Sequence, residues 1–339
     1  MIRVAMLSFW HVHARDYLRQ AQEHPETQIV ATWDELPERG RTMAQQLGVP
    51  FYSHLNELLA QADIDAVIID TPTTMHRDCM LATAQAGKHI FTEKVLAPTL
   101  HECHEVVVAV VQAGIKLTIS LPRLNAGYTQ AIQDIIHDHL LGDLSLVRVR
   151  LSHHGAIRTA EHPNGWLPEH FYNPEQSAGG AMIDLGCHPI YLVRLFLGLP
   201  QSVDASFGYL TGRAVEDNAV VTLRYPQGAM GVAETGFVNR FSPFSIEVHG
   251  TEGSLLYGTP HPTLLIRSAF YPSSNGSQWH EYPLPADRPS AFEQWVSHIQ
   301  QGTTASENIQ LATDLSMLME AASRSARNNQ SVSLAALEK

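Results

Sequence analysis

The sequence predicts a doubly wound α/β domain with a parallel sheet, followed by an α+β domain built on a large, mainly antiparallel open sheet. Three observations predict it. Over the first 120 residues, short Val- and Ile-rich runs alternate with helical periods, the pattern of buried parallel strands joined by right-handed crossovers. From about residue 123 that alternation gives way to short strands separated by turn signals. The chain has 339 residues, more than one ordinary core organises.

The strands of the first domain are expected at 2–7, 28–33, 66–70, 88–92 and 115–120. Between them, Ala14, Tyr17, Leu18 and Ala21 fall at i, i+3, i+4, i+7. Met80, Leu81 and Ala84 repeat that spacing, and Leu100 to Val111 carries an apolar face with Pro98 near its start. Gly87 and Gly114 close helices. The boundary falls between a domain at 1–122 and one at 123–339. The second domain opens with a helix near 127–141 and an alternating strand at 144–154. A loop rich in His, Pro and Asn (153–176) follows, then a helix from Gly180 to about Leu197. Strands are expected at about 203–211, 217–224, 229–236, 243–249, 253–257 and 263–267, with turns such as Tyr225-Pro226-Gln227-Gly228 between them. Helices at about 288–300 and 306–326 are expected to pack back on the body, and the last ten residues are polar enough to fray.

Composition narrows the function classes. With 44% hydrophobic and 17% charged residues the chain can bury a core, so disorder is excluded. Twenty-two basic residues against 34 acidic ones leave a net charge of −12, which argues against nucleic acid or an anionic membrane as partner. No apolar run of 18 residues and no secretory leader are read, and Cys79, Cys103 and Cys187 form no Cys-x-x-Cys pair, so the reducing cytoplasm is the expected compartment.

Open α/β sheets bind ligands at the carboxyl ends of their strands. The first strand-to-helix turn reads Ser8-Phe9-Trp10-His11-Val12-His13, and the three positions where a dinucleotide turn places glycine hold Ser8, Trp10 and His13. Taken alone, it reads as an ordinary loop with a packed Trp. Asp34 ends the second strand, where a carboxylate accepts the adenosine ribose hydroxyls and repels a 2′-phosphate. NAD is therefore expected ahead of NADP, with Arg39 and Arg41 leaving room for NADP; a solvated Asp opening the Asp34–Pro37 turn is the alternative. The fourth strand ends in Asp70-Thr71-Pro72-Thr73-Thr74-Met75-His76 and the fifth in Phe91-Thr92-Glu93-Lys94-Val95. A Lys there suits hydrogen bonding or proton exchange with a hydroxyl that becomes a carbonyl, although most Glu-Lys pairs are surface ion pairs. In the second domain, Asp184 and His188 are four apart on one helical face, with Tyr191 continuing it. A carboxylate beside an imidazole suits a general base, and a helix cap with a structural His fits the same spacing.

In order along the chain, Thr71-Pro72 with His76, Glu93-Lys94, Gly179-Gly180 with Asp184 and His188, and Gly250-Thr251-Glu252-Gly253-Ser254 resemble the glucose–fructose oxidoreductase / inositol dehydrogenase / MocA (Gfo/Idh/MocA) family over most of the chain. The resemblance implies a Rossmann domain and NAD(P)-dependent oxidation or reduction of a sugar, inositol or related polyol. By position, Lys94 and His188 handle the hydroxyl proton, Asp184 orients His188 or the substrate, and Glu93 lies near the nicotinamide ribose. Cofactor contacts are expected from Ser8, Phe9, Trp10, His11, Val12, His13, Asp34, Arg39, Thr71, Pro72, His76, Glu93 and Lys94. Substrate contacts are expected from Lys94, Arg123, His153, Trp166, His170, Asp184, His188 and Asn239. Two departures stand out: Val95 replaces the family's proline, which is expected to loosen that turn, and Trp10 either crowds the pyrophosphate or turns outward, with His11 and His13 offering side-chain contacts.

Two other functions fit the residues. A transiently used cofactor would support glycosidic cleavage or elimination through a keto-sugar, and a degenerate cofactor turn would leave a sugar-binding or regulatory module. No metal is expected: His11-x-His13, His101-x-x-His104 and His153-His154 are candidate pairs, but no helical His-Glu-x-x-His motif appears, His101 and His104 fall on a predicted helix remote from the strand ends, and solvated or packed histidines account for the rest. A sheet with one uncovered face implies a homodimer or homotetramer.

Overall fold

The structure is a computed structural model that describes residues 1–271 and 276–337. The chain divides into two compact units, one of Met1–Leu121 with Pro289–Thr313 and one of Pro122–Arg288 with Asp314–Lys339.

The first unit holds six parallel strands: β1 (Ile2–Leu7), β2 (Thr27–Trp33), β3 (Phe51–Tyr52), β4 (Ala66–Ile69), β5 (His89–Thr92) and β6 (Leu117–Ile119). Their order is β3-β2-β1-β4-β5-β6. The chain winds outward from β1 to β3 and then crosses back to β4, so the switch point lies between β1 and β4, where such sheets open to ligand. All four residues of β4 are buried, as are Val4–Leu7, because helices cover both faces of a parallel sheet. The helix Ala14–Glu23 buries the Ala14, Tyr17, Leu18, Ala21 face that its spacing predicts. A reciprocal Thr99–Glu102 capping box starts the helix Leu100–Ala113, and Gly114 at φ 66° ends it.

A late segment completes this core. The helix Ala291–Gln301, capped by Ser290 and Glu293, inserts Phe292, Trp295 and Val296 among Met6, Ile68 and Phe91. Ring centroids step from Tyr17 to Phe91 (5.1 Å), Phe91 to Phe292 (5.5 Å) and Phe91 to Trp295 (5.7 Å). Such aromatic contacts add about 0.5–1.5 kcal/mol each beyond the area they bury.

The second unit is built on nine strands: β7 (Leu144–Ser152), β8 (Ser202–Gly208), β9 (Asn218–Arg224), β10 (Met230–Gly236), β11 (Ser245–Gly250), β12 (Gly253–Gly258), β13 (Thr263–Ser268), β14 (His280–Tyr282) and β15 (Val332–Ser333). They are ordered β14-β13-β12-β11-β7-β10-β9-β8-β15. β7 and β10 pair in parallel and the other neighbours antiparallel. That one parallel pairing brings the exits of β7 and β10 to the same edge, where the His153 amide donates to the Gly236 carbonyl at 2.9 Å. The helix Cys187–Leu197 lies across β7 and β10, so close that a Cβ on Gly231 would stand 2.4 Å from Val193.

Several elements differ from expectation. β3, β14 and β15 are too short for periodicity to show. The strand expected to reach 211 stops at Gly208, because the Asp217 carboxylate takes the amides of Leu210 and Thr211 and bends the chain away from the ladder. The tail is ordered rather than frayed: Val332 pairs with Val203 and Leu334 is buried, while residues 338–339 of that expectation lie outside the described residues. Among the described residues, Pro174–Leu197 is long and apolar enough to cross a membrane, and 67% of that window is buried inside the protein, as a core helix would be. Trp295→Ala should cost about 3–5 kcal/mol in urea unfolding of the first unit; a loss below about 1 kcal/mol would mean the late helix does not complete its core.

Candidate functional site

The turn after β1 has lost its glycines but not its path. Ser8 keeps a positive φ of 77°, a conformation a glycine takes without strain, and its Oγ accepts from the Trp10 amide (3.1 Å) and from Arg39 (3.2 Å). Trp10 is 4% exposed, so it turns inward rather than out to solvent. The turn therefore still delivers the chain to the N-terminus of the helix Ala14–Glu23, where amides favour an anion. These residues fit a dinucleotide.

Asp34 is 1% exposed, which excludes the solvated-turn reading. One oxygen accepts from the Leu36 amide and Arg39 Nη2, both at 2.7 Å, and the other from the Phe9 amide (3.0 Å) and Arg39 Nε (2.8 Å). Glu35 also takes Arg39, at 2.5 Å, so one guanidinium serves two carboxylates. Arg41 lies over the Phe51 ring at 5.2 Å.

Glu93 is the hub of the opposite turn. It is 1% exposed, and one oxygen meets His13 Nδ1 at 2.6 Å, the Tyr17 hydroxyl at 2.6 Å and His11 Nδ1 at 3.3 Å. The other accepts the Lys94 amide at 2.6 Å. Burial alone would raise this carboxyl, but the charges of His11 and His13, the His13 hydrogen bond and the charge of Lys94 hold it well below the usual range. Tyr17 passes its other contact to Ser120 at 2.7 Å, and burial beside Glu93 pushes its hydroxyl well up.

Asp70, at the end of β4 between these turns, is fully buried, and neither of its carboxyl oxygens has a hydrogen-bond partner. Burial and then the charge of Glu93 raise it well above the ordinary range, which disfavours its charged form. Its backbone carbonyl takes the His11 amide at 3.2 Å. His76 Nδ1 meets the Val95 carbonyl at 2.8 Å, and burial lowers its pKa, so the neutral ring donates. Lys94 is 5% exposed, unlike a surface ion pair. The Lys94–Val95 peptide is cis although no proline follows Lys94. Thr71 and Thr73 are buried, Pro72 precedes the short helical turn Thr73–Met75, and Val12 faces solvent.

In the second unit, Asp184 lies on a π-helical turn, Met182–Gly186, that runs into the helix Cys187–Leu197; single π turns of this kind concentrate at functional sites. The start of this segment is clamped by Glu216. Its carboxylate accepts the Gly180 amide at 3.0 Å and the Met182 amide at 2.9 Å, and its carbonyl accepts the Ala181 amide at 2.9 Å. Burial raises the Glu216 carboxyl against the pull of these amides. Gly180 is needed for that approach, since a Cβ there would stand 2.0 Å from the Glu216 carbonyl. His188 is buried, and its Nδ1 lies 3.3 Å from the Tyr191 hydroxyl. That oxygen also accepts the Arg123 amide at 3.0 Å, and burial pushes its pKa well up.

Expected wall residues separate into groups. His153 stacks on Phe237 (4.9 Å, 8°) and tilts against Trp166 (4.8 Å), and its carbonyl accepts the Asn239 amide at 3.0 Å. His170 sits on the turn Glu169–Tyr172, against Phe171. The Arg123 side chain lies 4.0 Å over Phe244 and donates to Tyr128. Arg213 pins the loop at 153–176, stacking 3.8 Å over Tyr172 and donating to the carbonyls of Ala156 and Asn164. Sequence reasoning missed Glu216 and Arg213, whose partners are distant and whose spacing carries no signal. It placed Tyr17 and Tyr191 on helix faces without their hydroxyl roles.

Residues 2–121 match the family model described as "Oxidoreductase family, NAD-binding Rossmann fold", and residues 129–256 match "GFO/IDH/MocA C-terminal domain". The 1,5-anhydro-D-fructose reductase of Ensifer adhaerens is 29% identical over 327 residues, 91% of this chain and 93% of that protein. The scyllo-inositol 2-dehydrogenase (NAD(+)) of Bacillus subtilis (strain 168) is 29% identical over 282 residues, 78% of this chain and 77% of that one. A levoglucosan dehydrogenase solved with NADH and levoglucosan shares the fold, with a TM-score of 0.79 at 20% identity over 98% of this chain and 99% of its own.

Two outcomes follow from the local geometry. Gly180→Ala should destabilise the second unit by more than the roughly 1 kcal/mol of strain expected for Gly212→Ala, which has a positive φ but open space around it; equal losses in thermal melts would contradict the Glu216 clamp. Because the folded pKa of Asp70 lies above its unfolded value of about 3.9, its favourable contribution is full below that pH and is lost as pH rises toward the folded pKa. Asp70→Asn should therefore gain stability relative to the parent between pH 4 and pH 7, and a constant difference across that range would be the contrary result.

Proposed function

The chain belongs to the Gfo/Idh/MocA oxidoreductase family, and from that premise we propose that it transfers hydride between a nicotinamide cofactor, NAD ahead of NADP, and a hydroxyl or carbonyl carbon of a sugar, inositol or related polyol. The bound cofactor supplies the hydride acceptor or donor. The residues that would hold it are the Ser8–His13 turn, Asp34 with Arg39, Thr71, Pro72 and the Glu93-Lys94 turn.

The observation that carries the reading is the burial of Lys94 at the end of β5, where its backbone amide donates to Glu93 and the Val95 carbonyl that follows takes His76. A buried ammonium at the carboxyl end of a sheet strand suits hydrogen bonding to a substrate hydroxyl and stabilises the alkoxide as the proton leaves. His188 is the proton acceptor in the oxidative direction. In the tautomer a base needs, its Nδ1–H donates to the Tyr191 oxygen, which leaves Nε2 as the basic nitrogen of the ring. Asp184 acts on His188 or on a substrate hydroxyl, and His153, Trp166, His170, Arg123 and Asn239 supply the sugar wall. Asp34 and Glu35 carry two negative charges against the one of Arg39, and that excess disfavours a 2′-phosphate. We further infer a cytoplasmic homo-oligomer formed through the open sheet face of the second unit.

Lys94→Ala and His188→Ala should each lower kcat by about 100-fold or more, the size of a lost acid–base contribution, while nicotinamide fluorescence shows NADH still bound by His188→Ala. Turnover unchanged in both variants would remove the mechanism, and unchanged total NADH during complete substrate conversion would favour transient redox chemistry.

A further inference from the structure

Three donor atoms converge at the β1 turn: a ring nitrogen of His11, a ring nitrogen of His13 and a carboxylate oxygen of Glu93, all within 4.8 Å of one another. We propose that this cluster binds one divalent transition-metal ion of borderline softness, zinc being the type case, through two imidazole nitrogens and one carboxylate oxygen. The inference is independent of the redox reading, since it concerns the protein without cofactor or sugar.

The donor set is one that suits zinc and its neighbours rather than calcium or magnesium, which take oxygen ligands. The spacing fits as well. His11 Nδ1 lies 3.3 Å from Glu93 Oε1, close to the edge of roughly 3.4 Å in a tetrahedron with metal–ligand bonds of about 2.0–2.1 Å. His13 Nδ1, at 2.6 Å, shares a proton with the same oxygen; exchanging that proton for the ion widens the edge by about 0.8 Å. The His13 side chain is 42% exposed, which gives it freedom to make that shift and gives the ion a way in. His11 Nδ1 lies 3.2 Å from the His13 amide, a contact the ion would replace as the imidazoles give up the protons they hold beside Glu93. The Tyr17 hydroxyl, 2.6 Å from Glu93, stands where outer partners orient a ligating carboxylate. Asp70, buried with neither carboxyl oxygen hydrogen-bonded, adds an acidic group that a nearby cation would stabilise. Sequence spacing hides the site because the third ligand lies 80 residues from His13.

The test is calorimetric titration of chelator-treated protein with Zn²⁺ alone. The expected result is one ion per chain, with affinity at least tenfold weaker in His13→Ala and in Glu93→Gln and unchanged when the exposed His101 and His104 are replaced by Ala. Equal binding in His13→Ala and the parent, or binding that disappears with His101 and His104, would overturn the proposal. Since Glu93→Gln disturbs a buried network, His13→Ala with an unchanged circular dichroism melt is the deciding variant. Co²⁺ provides a second readout: intense visible bands of a four-coordinate site are expected in the parent and not in His13→Ala, and identical spectra would contradict the site.

Discussion

A charged carboxylate in a dry place is the constraint on which the first unit turns. Removing Glu93 from water costs several kcal/mol, and the protein offsets that with His13, His11, Tyr17 and the Lys94 amide. These partners come from the turn after β1, the helix that follows it and the turn after β5. Their shared carboxylate therefore ties together two loops that the sheet order separates by β4. The consequence for Asp70 is direct: fully buried at the end of the strand between them, and then facing the charge of Glu93, its carboxyl is pushed well up. The aromatic series from Tyr17 through Phe91 to Trp295 connects this network to the core, so the polar site is braced by packing rather than by loop contacts.

The second unit applies the same logic with different groups. Glu216 collects backbone amides instead of imidazoles, and by clamping Gly180–Met182 it sets where the π turn with Asp184 begins. From there the helix Cys187–Leu197 presents His188 and Tyr191, and the Tyr191 hydroxyl joins the imidazole to the Arg123 backbone. The lone parallel pairing in the sheet, β7 with β10, assembles His153, Phe237 and Trp166 at one edge. In each unit one buried acid fixes the backbone that carries the groups proposed for chemistry.

The sequence made much of this legible. Val- and Ile-rich runs locate the main parallel strands because strands covered on both faces must be apolar throughout, and the order of Glu93-Lys94, Asp184 and His188 points to the family. Turn identity was less legible than turn conformation: Ser8 stands where glycine is expected yet adopts the same positive φ, since hydrogen bonds to its Oγ compensate for the strain. Trp10 reads as an obstacle on paper and is buried in the protein. Glu216 and Arg213 left no trace, because a carboxylate that serves amides 34 and 36 residues away and a guanidinium that serves two carbonyls have no characteristic spacing. What sequence cannot encode locally is which distant backbone a buried charge will satisfy.

Glu93 holds the two turns together through its histidines. A double-mutant cycle between His13→Ala and Glu93→Gln, read as unfolding free energy at neutral pH in chelator, tests it most directly. A coupling of at least about 1 kcal/mol is expected, within the range found for residues sharing one hydrogen-bonded network. Strict additivity of the two losses would contradict it and would make the turns independent of each other.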